Sequence, residues 1–294
     1  MKDKIMSSEL ILNTDGSIFH LHLLPHEIAE DIILVGDPTR VDMFIPFFDS
    51  IEVNKQSREF HTITGFYDKK RFTVISTGIG ADNCDIVVNE IDALFNIDFQ
   101  TRKPKEKLKS INITRLGTCG ALQGDVPVGS YVLTEKAVGL DGMLNFYRDR
   151  DTVCEVNMEA LFKFECLASD KYASPYIVSA SKKMLELFKD DKCRNGITIT
   201  ANGFYGPQGR ELRLPINDRD INKKIQQFGY NNLSVLNYEM ESAAIIGLSA
   251  LMGHNAICIC LVIANRINGE VLPNYHENIK ELIIFTLNKL KIKN

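Results

Sequence analysis

The sequence predicts an α/β protein, a largely parallel or mixed sheet covered by helices and built as one large domain or two modest ones. Three observations point there. Short apolar runs recur along the chain, each opening into a glycine-rich or polar turn, as buried strands do. Between them lie segments of helical periodicity, so strands and helices alternate as in a sheet covered by helices. No internal repeat breaks that order, and 294 residues, 45% of them hydrophobic, suffice for a substantial core.

Each element has its own warrant. Residues 32–35 (Ile-Ile-Leu-Val) read as a strand opening into Gly36-Asp37-Pro38-Thr39-Arg40, and residues 72–75 as a strand opening into Ser76-Thr77-Gly78-Ile79-Gly80. Asp82 or Asn83 is expected to cap a helix whose apolar face runs Ile86, Val87, Ile91 and Leu94 and which ends near Asn96. Residues 100–109 are polar, basic and broken by Pro104, so they are expected to form a surface loop. A strand over 111–114 is expected to end at Arg115, before a Gly117-Thr118-Cys119-Gly120 turn. The run Asn237-Tyr238-Glu239-Met240-Glu241-Ser242 heads an apolar helix that turns Ala244, Leu248 and Leu251 inward and stops at Gly253. Residues 256–264 form a long strand before Asn265-Arg266, with Cys258 and Cys260 on one buried side. A last helix spans about 277–290, with Ile279, Ile283, Thr286, Leu287 and Leu290 on its apolar face.

Composition narrows the function. A net charge of -4 argues against a nucleic-acid surface, and the run 256–264 is about half the length that a membrane-spanning helix needs. Met1 to Leu12 lacks the apolar core of a secretory signal. Seven cysteines without a CxxC pair suggest reduced thiols in a cytoplasm. His20 and His22 sit at a strand-like spacing, but no third ligand completes a metal site, and none is expected.

The polar residues at the strand ends suggest one ligand site assembled from distant segments, since ligands of open α/β sheets bind at the carboxyl edge. Carboxylates are rarely buried without a partner, so Glu239 and Glu241 beside Met240 call for one. A ribose fits: a carboxylate accepts from neighbouring hydroxyls while Met offers an apolar wall. The alternative for these acids is an exposed first helical turn favoured by the helix dipole. Arg40, Arg115 and Thr118, beside glycines that let backbone N–H groups approach, suit a phosphate. Gln208 and Arg210, in a glycine-proline loop, would by themselves be read as solvated side chains.

In combination and in order, these segments resemble the nucleoside phosphorylase family, and its uridine-specific branch in particular. The resemblance is carried by Phe19-His20-Leu21, Gly36 to Val41, Arg58-Glu59-Phe60, Ser76 to Gly80, Arg115 to Thr118, Phe204 to Arg210, Asn237 to Ser242 and Asn265-Arg266. It implies a three-layer αβα single domain with a mixed central β-sheet, and reversible phosphorolysis of a nucleoside, uridine above all, to free base and ribose 1-phosphate. Phosphate would be bound by Gly36, Arg40, Arg115 and Thr118, with Arg58 reaching in from a neighbouring subunit. Ribose would meet Met240 and Glu241, with a neighbour's His20 at the 5′-hydroxyl. The base would meet Phe204, Gln208 and Arg210, with Asn265 and Arg266 supporting that loop. Self-association as a dimer, or as a hexamer built from dimers, follows.

The resemblance implies no cofactor beyond phosphate as co-substrate. Some uridine enzymes hold a monovalent cation through a glutamate matching Glu59 and a serine where this chain has Asn83, so that cation does not carry over. Purine-specific relatives place an aspartate where Asn265 stands, which favours a pyrimidine here. A purine phosphorylase or hydrolytic nucleosidase of the same superfamily, and a non-catalytic nucleoside-binding protein, are the competing readings. The chain departs from the uridine enzymes by residues 1–18 as an N-terminal extension, by the basic loop 100–109, and by extra residues over about 149–173.

Overall fold

The buried apolar runs become the inner strands of one large sheet. The computed structural model describes residues 4–167 and 169–292. Residues 1–3 of the expected extension, and residue 168 within the 149–173 segment, therefore lie outside the described residues.

In chain order, β1 (Asp31–Val35) leads through the short helix α1 (Pro38–Asp42) to β2 (Ser50–Ser57), β3 (Phe60–Tyr67), β4 (Lys70–Ser76) and helix α2 (Ala81–Asn96). A small hairpin, β5 (Ile97–Asp98) and β6 (Lys103–Pro104), precedes β7 (Asn112–Ala121) and β8 (Tyr131–Gly139). Next come α3 (Val156–Cys166), β9 (Tyr176–Ser179), α4 (Lys182–Phe188), β10 (Cys193–Thr200), α5 (Ile221–Gln227), β11 (Gly229–Tyr230) and β12 (Leu233–Glu239). The chain continues through α6 (Ser242–Leu251), β13 (Asn255–Asn265), β14 (Glu270–Val271) and α7 (His276–Leu290).

The sheet runs β11-β12-β10-β8-β13-β7-β1-β4-β3-β2 and is mixed. β1 pairs parallel with β4 and β7, whereas β13 runs parallel to β7 and antiparallel to β8. A further antiparallel pairing, Asn237↔Ala121 and Tyr238↔Gly120, joins β12 back to β7. It closes β7, β13, β8, β10 and β12 into a ring, so one half of the sheet curls up while β1 to β4 stay open. The strands buried on both faces, such as β13 with Ala256 to Val262 at most 3% exposed, read as continuous apolar runs for that reason.

Helix α7 buries Ile279, Ile283, Thr286, Leu287 and Leu290, as its periodicity predicts. In α6, Ala244 and Leu248 are buried and Leu251 is half-buried, and Gly253 follows in the left-handed region at φ +78°.

Three expectations need correction. β7 does not end at Arg115: it runs through Gly117 to Gly120, because that stretch hydrogen-bonds to β13 and β12 on its two sides. Helix α2 starts at Ala81 with Gly80 (φ +107°) in the cap position, so Asp82 and Asn83 lie in its first turn rather than capping it. Loop 100–109 is not wholly irregular. β6 pairs with β5, and the Lys105 N–H donates to the Asn96 carbonyl, which ties the loop to the end of α2.

Candidate active site

Where β1, β4, β12 and β13 end, and where β7 passes between its partners, the chain forms an open cavity of about 560 Å³. Its lining gathers Gly36, Arg40, Arg115, Thr118, Phe204, Gln208, Arg210, Met240 and Glu241. Residues 36 and 204 are far apart in sequence and follow β1 and β10, which run in opposite directions; the antiparallel closure of β12 onto β7 curls the sheet so that both loops reach one cavity.

The deepest polar pair is Arg115 with Glu241. The guanidinium, 5% exposed, donates to the Glu241 carboxylate and lies 3.6 Å from Glu239. Burial works against its charge, but Glu241 and Glu239 outweigh it and hold Arg115 ionised well above the ordinary arginine range. For Glu241, burial and then the nearby Glu239 push the carboxyl above its usual range, with Arg115 and the Gly80 N–H opposing. That N–H donates to Glu241 Oε1 at 2.8 Å. Gly117 is needed here: a Cβ at that position would stand 1.8 Å from Nη1 of Arg115, so the guanidinium folds back over a residue without a side chain.

Glu239 has a separate, structural task. Oε2 accepts from the N–H groups of Glu241 and Ser242 at 2.9 Å each, and Oε1 accepts from Thr200 at 2.6 Å. Thr200 in turn accepts from the Ala243 N–H, so two side chains satisfy the first turn of α6. The sequence places both carboxylates at the head of that helix. In the fold both line the cavity: Glu239 closes β12 and holds the N–H groups at the head of the helix, whereas Glu241 takes the Arg115 guanidinium.

Arg40 follows β1 on α1, whose start is capped by the Asp37 side chain accepting from the Thr39 N–H. Among the described residues no carboxylate forms an ion pair with Arg40. Burial, and then the charge of Arg115, lower its pKa from the ordinary value. Two arginines repelling each other across a cavity create a place for an anion.

The other end of the cavity is built from the loop after β10. Arg210 donates to the Phe204 carbonyl at 2.6 Å and to Gln208 Oε1, and its guanidinium lies 3.8 Å from the Phe204 ring centroid. Burial and the nearby Arg266 lower the Arg210 pKa to about 10. Arg266 donates to the Gln208 carbonyl at 2.6 Å and lies 5.4 Å from the Tyr238 ring centroid. Asn265 is 1% exposed and fully engaged: its amide donates to the carbonyls of Gln123 and Val126, and its oxygen accepts from the N–H groups of Ile267 and Asn268.

His20 and Arg58 are not brought to this cavity. Arg58 is exposed in the turn between β2 and β3, in the left-handed region at φ +55°, and lies 5.9 Å from the Phe19 ring centroid. His20 is beside it, edge-on to Phe19. Tyr238 is one of the lining residues that motif reading did not assign to the site; it is 1% exposed, and its hydroxyl has no partner among the described residues. The signal was its place beside Glu239, since a buried tyrosine hydroxyl calls for a partner.

The phosphorylase superfamily model matches residues 30–286 of the chain. The uridine phosphorylase of Thermococcus kodakarensis is 27% identical over 273 residues, covering 92% of this chain and 85% of that protein. The guanosine phosphorylase of Halorubrum lacusprofundi is 27% identical over 278 residues, covering 91% of this chain and 96% of that protein. Among solved structures, a Trypanosoma brucei nucleoside phosphorylase described as showing uridine phosphorylase activity superposes with a TM-score of 0.82 at 26% identity, covering 95% of this chain and 99% of that one. The chain belongs to the phosphorylase superfamily and is an enzyme of the nucleoside phosphorylase kind.

Proposed function

We propose that the protein is a pyrimidine nucleoside phosphorylase that converts uridine and inorganic phosphate reversibly to uracil and ribose 1-phosphate. The observation carrying this reading is that three chemistries share one cavity: cations for an anion, a carboxylate with a thioether for a sugar, and an amide-guanidinium pair for a base.

Phosphate is held by Arg40, Arg115, Thr118 and the backbone at Gly36. It attacks the anomeric carbon as the glycosidic bond lengthens. Positive charge grows on the sugar and negative charge on the departing base, and both ends must be stabilised. Glu241 accepts from the ribose hydroxyls and so fixes the ring opposite the phosphate. Because Arg115 touches Glu241 directly, the anion and sugar subsites share one buried charge.

Uracil leaves as a delocalised anion whose oxygens need donors. Arg210 donates to Gln208 Oε1, which turns the Gln208 NH₂ group into the available donor. Asn265 spends its whole amide on the backbone, so this position offers no acid to a purine imidazole. Both features favour a pyrimidine, and uridine phosphorylases among the relatives support the same substrate. Arg58 and His20, outside the cavity on one surface cluster, support a site completed by a second copy of the chain, as a dimer or a hexamer of dimers.

The test is uracil release from uridine with and without phosphate, with inosine in parallel. Phosphate-dependent release from uridine alone is expected. Release from inosine alone would overturn the base assignment, phosphate-independent release would indicate a hydrolase, and no turnover would indicate a binding protein.

A further inference from the structure

We propose that Glu90, on α2, is a positioning residue that locks His20 in one tautomer and presents its Nε2 as a fixed acceptor to the sugar 5′-hydroxyl in a partner subunit's cavity. The proposal rests on the reading above of a nucleoside site shared between two copies.

The Glu90 side chain is 12% exposed and takes four donor contacts from two consecutive residues. The His20 N–H lies 3.0 Å from Oε1 and 3.1 Å from Oε2, the Leu21 N–H donates to Oε2 at 2.9 Å, and Nδ1 of His20 sits 2.6 Å from Oε1. Both Glu90 oxygens accept from backbone N–H groups and face His20 as acceptors. Nδ1 meets Oε1 as the donor, and in that tautomer Nε2 is left as the acceptor. No described residue meets that nitrogen.

The ring cannot turn away easily. Phe19 stands edge-on at 4.8 Å between centroids and Phe60 at 6.4 Å. The segment is anchored from below by Leu21 and Leu23, at most 1% exposed, and by the Ile18 N–H donating to the Leu23 carbonyl. A quarter of the His20 side chain still faces outward. Around it Phe19 and Arg58 are exposed and Phe60 is buried beneath, and none of the three offers a side-chain acceptor. An acceptor nitrogen held between aromatic rings fits a hydroxyl better than it fits an anion.

A purely structural role, tethering the 20–21 backbone, would explain the N–H contacts without the ring. The experiment separates the two. Uridine and 5′-deoxyuridine are compared as substrates for the wild type, Glu90→Gln, His20→Ala and the double variant, with Tm recorded for each. Glu90→Gln keeps one acceptor for the backbone but sets an NH₂ group against a donor. Loss of one hydrogen bond predicts that KM for uridine rises about tenfold with kcat little changed, while KM for 5′-deoxyuridine stays at the wild-type value. His20→Ala should show the same pattern, and the double variant should be no worse than His20→Ala alone.

Equal losses on both nucleosides, in either single variant, would overturn the positioning role. If the wild type cleaves inosine but not uridine, the base assignment fails separately, and inosine with 5′-deoxyinosine gives the same comparison. If the wild type cleaves neither, the phosphorylase reading falls and this proposal with it.

Discussion

Gly117→Ala is expected to cripple phosphate use through a single methyl group. The added Cβ would stand 1.8 Å from Nη1 of Arg115, 2.8 Å from its Cζ and 3.1 Å from the Cys260 sulfur. Ordinary van der Waals separation is about 3.5 Å, so the guanidinium must move by roughly 1.7 Å. It has nowhere comparable to go, being 5% exposed and held between Glu241 and Glu239. Losing one charge-assisted contact to phosphate costs about 1.5–3 kcal/mol, which raises KM for phosphate roughly 10- to 150-fold. Overpacking costs about 1–3 kcal/mol of stability, or roughly 2–12 °C in Tm. The assay is the initial rate of uracil release at saturating uridine with phosphate varied, beside a thermal melt. A folded variant with an unchanged phosphate KM would refute the assignment of Arg115 to phosphate.

Three further outcomes are expected. Because burial and Glu239 raise the Glu241 pKa, nucleoside kcat/KM should fall toward acid with a midpoint above the ordinary glutamate value of about 4.3, and Glu241→Gln should lose that limb along with most activity. A raised pKa means that the folded chain holds this proton more tightly than the unfolded one, so the stability it contributes is lost as pH rises through the folded value. The Tm difference between Glu241→Gln and the wild type should therefore move in the variant's favour with rising pH, and the opposite movement would contradict the shift. Asn265→Asp should create no purine activity and should destabilise the fold by about 2–4 kcal/mol, since it sets carboxylate oxygens against the Gln123 and Val126 carbonyls; inosine turnover and Tm measure both. Gln208→Ala should reduce uridine kcat/KM at least tenfold while sparing any inosine activity, the loss of one directional donor; equal losses on both would mark a folding defect.

Local pattern made much of this legible. β1, β4 and β13 were readable because a strand covered on both faces must be apolar at every position, and α7 because its buried stripe repeats with the helical period. The cavity was readable as motifs: Gly36, Arg40, Arg115, Thr118, Phe204, Gln208, Arg210, Met240 and Glu241 all line it. The extent of β7 was not readable, because Gly117 and Gly120, with only Thr118 and Cys119 between them, look like a turn unless two neighbouring strands are known to supply partners. Tyr238 escaped notice for a related reason: its buried hydroxyl looks ordinary until the strand carrying it is seen to border the cavity.

The sequence by itself determined the class of fold, the order of its elements and the residue types that can hold a phosphate, a sugar and a base, because burial and charge leave local traces. Only the tertiary structure decided which of two neighbouring glutamates takes the Arg115 guanidinium and which holds the head of α6, that Arg115 folds back over Gly117, and that His20 and Arg58 stand apart from the cavity. Those choices depend on which backbone donors and carboxylates meet across strands distant in sequence, and a desolvated charge goes wherever that meeting provides its partner.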